Sequence, residues 1–176
     1  MTSLNKLYEI KKDLSVIGLL VTNDFPLCFC TPRNAVVFAH SGTDGIHFCI
    51  AGVEKGIESS PVYVVSPSMR GHYVELIGRD LTDFLSLVVA CKDASALEFI
   101  SYASEVKFAE HLGEINNQIL ENPDFNKAVD DAINALRTAF ELQNIDNVYK
   151  HVSDTKENPI YHVNLTFSKE YQAAMD

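Results

Sequence analysis

Residues 34–51 read Asn-Ala-Val-Val-Phe-Ala-His-Ser-Gly-Thr-Asp-Gly-Ile-His-Phe-Cys-Ile-Ala. Two β-rich runs enclose a five-residue turn. Over residues 34–40, Val36, Phe38 and His40 fall on one face and Val37 and Ala39 on the other. Over residues 46–51, Ile46, Phe48 and Ile50 oppose His47 and Cys49. A period of two is what the pleat of a strand imposes. Between the runs, Gly42 and Gly45 accept positive φ without a steric cost, and Asp44-Gly45 is a hairpin signal. Gly42, Asp44 and Gly45 are therefore read as turn-forming residues.

Working outward, residues 61–66 (PVYVVS) predict a third strand, opened by Pro61 and closed before Pro67, and residues 73–77 a fourth. Strands in succession without intervening helices imply an antiparallel sheet. Residues 160–167 (IYHVNLTF) alternate again and predict a last strand, with Tyr161, Val163, Leu165 and Phe167 on one face.

Helical spacing occupies the rest. Ser3 can cap a helix over residues 3–14 carrying Leu4, Leu7, Ile10 and Leu14. Asp80 or Thr82 can cap one that holds Phe84, Leu85, Leu87, Val88 and Cys91, and residues 95–102 and 109–120 follow. Asn122 and Pro123 open the clearest helix, because the first turn has no use for the N–H that proline lacks. Its apolar stripe is Phe125, Val129, Ala132, Ile133, Leu136 and Phe140. Residues 146–152 form a shorter helix. The expected fold is α+β, with a mostly antiparallel sheet of about four to six strands flanked by N-terminal and C-terminal helices.

The 176 residues suit a single domain spanning 1–176. A chain of this size buries roughly 70% of the surface of its unfolded form, so it needs neither disulfide nor metal to fold. Disorder is excluded by a composition 47% hydrophobic and 22% charged. The formal charge of −10 argues against a nucleic-acid partner, which would demand basic groups. It is unevenly spread: residues 1–103 hold 8 basic and 11 acidic groups, residues 104–176 hold 6 and 13. The run 16–21 is too short for a membrane span, and the four cysteines lie in apolar stretches, so a cytoplasmic protein without membrane association is expected.

Several groupings carry chemistry. Cys28-x-Cys30 with His40, His47 and Cys49 offers zinc ligands. The one-residue gap places the two cysteines on one strand face and does not make a chelating turn, so no metal site is assigned. His40, Asp44 and His47 flank the glycine turn. They read either as an acid–base cluster or as turn and sheet-face residues, with Asp44 bonding its own turn. The same turn lacks the lysine and following helix of a phosphate loop. Arg70-Gly71-His72 is a polar loop. No catalytic set or cofactor is assigned. Asp124, Asp130, Asp131, Glu141 and Asp146 read as a solvated helix face or, more sharply, as a surface complementary to a basic partner.

A resemblance then enters through residues 31–87, about a third of the chain. These comprise Thr31-Pro32-Arg33-Asn34-Ala35-Val36-Val37-Phe38-Ala39, then Ser41-Gly42-Thr43-Asp44-Gly45-Ile46-His47-Phe48. Next come Ser60-Pro61-Val62-Tyr63-Val64-Val65-Ser66-Pro67 and finally Asp80-Leu81-Thr82-Asp83-Phe84-Leu85. The order resembles the SUKH superfamily: a strand before a Gly-x-Asp-Gly-like turn, a second strand, a Pro-Val strand, and a helix opening with an acidic-Phe-Leu phrase. Pro61 and Phe84 are structural positions in that pattern. The resemblance implies a non-enzymatic protein-binding module of the kind bacterial immunity proteins provide, binding and neutralising a nuclease-type toxin through an acidic surface. A regulatory or scaffold protein of the same fold is the alternative. A small-ligand or hydrolytic role using His40, Asp44 and His47 is the third reading.

Overall fold

In a computed structural model, which describes residues 1–175, the chain is α+β. Among the described residues there are five strands and seven α-helices. The strands are β1 (Leu20–Val21), β2 (Ala35–His40), β3 (His47–Ala51), β4 (Val62–Val65) and β5 (Val74–Gly78), paired antiparallel in sequence order. The helices are α1 (Ser3–Tyr8), α2 (Leu81–Cys91), α3 (Ala96–Phe99), α4 (Glu105–Glu121), α5 (Pro123–Ala139), α6 (Val148–Glu157) and α7 (Lys169–Met175). Among the described residues no helix is long and apolar enough to cross a membrane.

The meander presents two faces, and both are covered. Phe38, Phe48, Ile50, Val62, Val64 and Ile77 look toward the helices. Cys49, Ala51, Tyr63, Val65 and Leu76 look the other way. Every residue of β3 and β4 is buried in consequence. On the helical side, Phe84, Leu85, Leu87 and Val88 of α2 are fully buried, each contributing roughly 1.5–3 kcal/mol. The Phe84 ring meets Phe38 edge-on at 5.5 Å and Phe48 at 5.0 Å. Asp80 caps α2 by accepting the Asp83 N–H at 2.9 Å.

The simple alternation expected for residues 34–40 fails after Val37. A bulge shifts the β2–β3 register between Val37 and Ala39. Phe38 and Ala39 consequently both enter the helix-facing core. An extra residue in one strand breaks the period of two, and nothing local in Val36-Val37-Phe38 announces it.

The first helix is also shorter than its apolar spacing suggests. It is capped by Thr2, not Ser3, and ends at Tyr8. Asp13 accepts hydrogen bonds from the Ser15 N–H and hydroxyl at 2.9 and 2.6 Å, which starts a separate 3-10 turn, Ser15–Ile17. Leu14 still reaches the core by that route. The C-terminal helices start at Asn and Ser caps. Asn122 Oδ1 accepts from Phe125 N at 3.1 Å, with Pro123 in the first turn as expected.

Residues 160–167 do not form a strand. Pro159–Tyr161 is a 3-10 turn, and the chain then runs extended across the second face of the sheet. The in–out alternation is real: Tyr161, Val163, Leu165 and Phe167 are half-buried and Ile160, His162, Asn164 and Thr166 exposed. Ladder partners are replaced by the Asn34 side chain, which donates from Nδ2 to Asn164 O (2.7 Å) and accepts from Thr166 N (2.9 Å). Arg33 N donates to Thr166 O at 2.7 Å. A segment lying over a sheet face shows the same periodicity as one beside its edge, which is why the pattern misleads. Gly52 admits this strap: a Cβ there would stand 2.7 Å from Val163 Cγ1, at a φ of +78°.

Candidate functional site

The hairpin turn and the loop entering β2 meet at His47. In the turn, Gly42, Asp44 and Gly45 adopt φ of 83°, 50° and 71°. The turn is pinned by its neighbours. His40 Nδ1 accepts from Gly42 N at 3.2 Å, and Ser41 Oγ accepts from Thr43 N at 3.3 Å. His40 and His47 are register partners on β2 and β3. The Phe25 ring packs against both imidazoles, 4.9 Å from each centroid. Asp44 lies exposed at the tip and, among the described residues, forms no salt bridge with either histidine. The geometry therefore does not assemble His40, Asp44 and His47 into a relay.

A different relay is present. Residues 28–31 form a turn in which Thr31 N donates to Cys28 O at 3.1 Å, in place of the strand expected for the cysteine pair. His47, fully buried, places Nδ1 2.8 Å from Gly45 O, and a carbonyl can only accept. Nδ1 therefore carries the hydrogen and Nε2 is the acceptor. Burial pushes the His47 pKa down, against the opposing pull of the Gly45 bond, which keeps the ring neutral. Thr31 Oγ1 lies 3.0 Å from Nε2 and donates to it. The same oxygen accepts the Cys28 N–H at 3.0 Å and lies 3.2 Å from Cys28 Sγ.

Cys28 Sγ also stands 3.2 Å from Cys30 Sγ. Cys28 is half-buried and Cys30 fully so. The hydrogen bond from Cys30 holds the Cys28 thiol down to about 5, against the opposing effect of burial. The Cys28 bond and burial push Cys30 upward. The contact between the two sulfurs thus favours the thiolate at Cys28 and the thiol at Cys30. Cys49, fully buried, is pushed up to about 12 by burial and stays a thiol. Among the described residues no three His, Cys, Asp or Glu side chains converge to hold a metal ion.

Sequence reasoning missed two connections. Thr31 bridges His47 to Cys28, and a lone threonine carries no local signal of that role. Asp83, nearly buried, accepts from Arg79 N (2.9 Å) and pairs with His151 Nε2 (2.8 Å), tying α2 to α6 across 68 residues of sequence. Arg79 in turn donates from Nε to Thr155 Oγ1 at 3.2 Å. Phe84, the next residue of α2, is buried against Phe38 and Phe48 of the sheet, and Pro61 immediately precedes β4. Arg70 is exposed, and His72 pairs with Glu75 at 2.9 Å.

The acidic residues lie on the helical layer. Asp124, Asp130, Glu141 and Asp146 are exposed and, among the described residues, form no salt bridge. Asp131 is engaged by Lys12 Nζ at 2.9 Å. Asp146, with Ala90 and Ile145, lines both of two neighbouring clefts of about 220 and 270 Å³. Arg137 lines the first and Glu105 the second. Comparison with family models, curated proteins and solved structures returned no match.

Proposed function

We propose that the chain is a protein-binding module of the immunity type, which captures a basic, nuclease-like toxin domain on its acidic helical layer. The observation that carries this reading is the place of Asp146 at the shared lip of two clefts, among exposed carboxylates that internal cations leave unpaired. A lysine or arginine entering the second cleft would meet both Asp146 and Glu105, whereas Arg137 opposes a cation in the first. Desolvation by apolar walls such as Ile145 strengthens such a pair beyond what it is worth on an open surface. A nuclease carries a basic groove for phosphate, and an acidic face of net excess charge steers it in and competes with nucleic acid there. The SUKH-like order of residues 31–87 supports the same role.

The test is co-expression with any toxin domain encoded beside this gene, followed by binding at graded salt. Protection from toxicity is expected, with affinity falling as ionic strength rises from about 0.05 to about 0.5 M. Asp146→Lys with Glu141→Lys should weaken binding at least about tenfold. Asp131→Asn should change it little, because Lys12 already holds that carboxylate. Absence of protection against every neighbouring toxin, or salt-independent binding, overturns the reading.

A further inference from the structure

We propose that Cys28 and Cys30 form a two-electron redox couple: Cys28 is the attacking thiolate toward a low-molecular-weight disulfide of the glutathione class, and Cys30 is the resolving thiol. Three features of the turn at residues 28–31 carry this. The two sulfurs stand 3.2 Å apart, so closing the bond to about 2.05 Å needs a small movement of one turn. Access is graded, with Cys28 reachable from solvent and Cys30 fully buried, so the first attack falls to Cys28. Thr31 Oγ1, itself fixed by the Cys28 N–H and by His47 Nε2, lies 3.2 Å from Cys28 Sγ and holds the sulfur in place. The low Cys28 pKa is in keeping with this geometry.

The chemistry balances as follows. Cys28 thiolate attacks one sulfur of the small disulfide; that S–S bond breaks, and one glutathione leaves as a thiolate and takes up the proton Cys28 has lost. Cys30, losing its proton, attacks the Cys28 sulfur of the mixed disulfide and expels the second glutathione, which takes up that proton. The protein dithiol is oxidised by two electrons to the Cys28–Cys30 disulfide, and the small disulfide is reduced to two thiols. Cys49 and Cys91, both buried away from solvent, stand outside the exchange and serve as internal controls.

The experiment incubates the full chain with oxidised glutathione at pH 7, quenches with acid, and maps peptides by mass. The expected product is about 2 Da lighter, carries a Cys28–Cys30 bridge and has no retained glutathione. Cys30→Ser should accumulate a stable adduct about 305 Da heavier on Cys28, and Cys28→Ser should give neither product. Circular dichroism checks that the variants are folded. If the Cys30 variant does not fold, early quenching of the native chain must instead reveal a transient adduct confined to Cys28. A folded native chain that forms no bridge with oxidised glutathione alone, or that retains a lasting adduct, or that is modified first at Cys49 or Cys91, refutes the proposal.

Discussion

Replacing Asn34 by alanine should loosen the segment that crosses the second sheet face. The side chain makes two hydrogen bonds to it, one donated to Asn164 O and one accepted from Thr166 N, at 2.7 and 2.9 Å. Asn34 is half-buried, so water can partly replace the lost partners. At about 0.5–1 kcal/mol for each bond, the loss is about 1–2 kcal/mol, which raises the population of the locally opened form by about 5–30-fold. The amide of Thr166 reports the change directly in native-state hydrogen exchange, while amides of β3 and β4 should exchange as before at low denaturant. Asn34→Asp gives a sharper contrast. It retains an acceptor for the Thr166 N–H but sets a carboxylate oxygen against Asn164 O, so it should be no better than alanine at neutral pH. Unchanged exchange at Thr166 in the alanine variant would refute the view that a side chain substitutes for ladder pairing here.

Other expectations concern the core and the thiols. Alkylation of Cys28 should follow its thiolate, falling as pH drops through about 5 and level above about 6.5, whereas an ordinary thiol still gains reactivity at pH 8; iodoacetamide kinetics resolved by peptide mass check this. Phe84→Ala removes the ring that Phe38 and Phe48 pack on and should cost about 3–5 kcal/mol in urea unfolding. Asp83→Ala leaves the Arg79 N–H and His151 without their acceptor and should cost about 3 kcal/mol. His151→Ala should cost less, because Asp83 still holds the Arg79 amide.

The legible parts of this fold are those whose signal is local. The Gly42–Gly45 turn, the Asn122-Pro123 start of α5 and the in–out pattern of Phe48, Cys49 and Ile50 depend on neighbours a few residues away. The illegible parts depend on distant partners. Nothing in Ile160–Tyr161–His162–Val163 distinguishes a ladder strand from a strap, since that choice belongs to Asn34 and Gly52, more than a hundred residues earlier. The β2 bulge is set by cross-strand pairing. The cysteine pair was visible as Cys28-x-Cys30, but its chemistry lies in Thr31 and His47, which join it only once the β2–β3 hairpin has folded.

The crossing segment also imposes an order on synthesis. Leu76 of β5 leaves the ribosome 89 residues before Leu165, which covers the face to which Leu76 belongs. At about 5–20 residues per second, that is an interval of roughly 4–18 s. Through most of it the nascent sheet can bury one side against α2 while Tyr63, Val65 and Leu76 lack the cover of Tyr161, Val163 and Leu165. This is the stage at which the young protein offers chaperones, or a neighbouring nascent chain, a sticky aromatic surface that the finished molecule no longer shows.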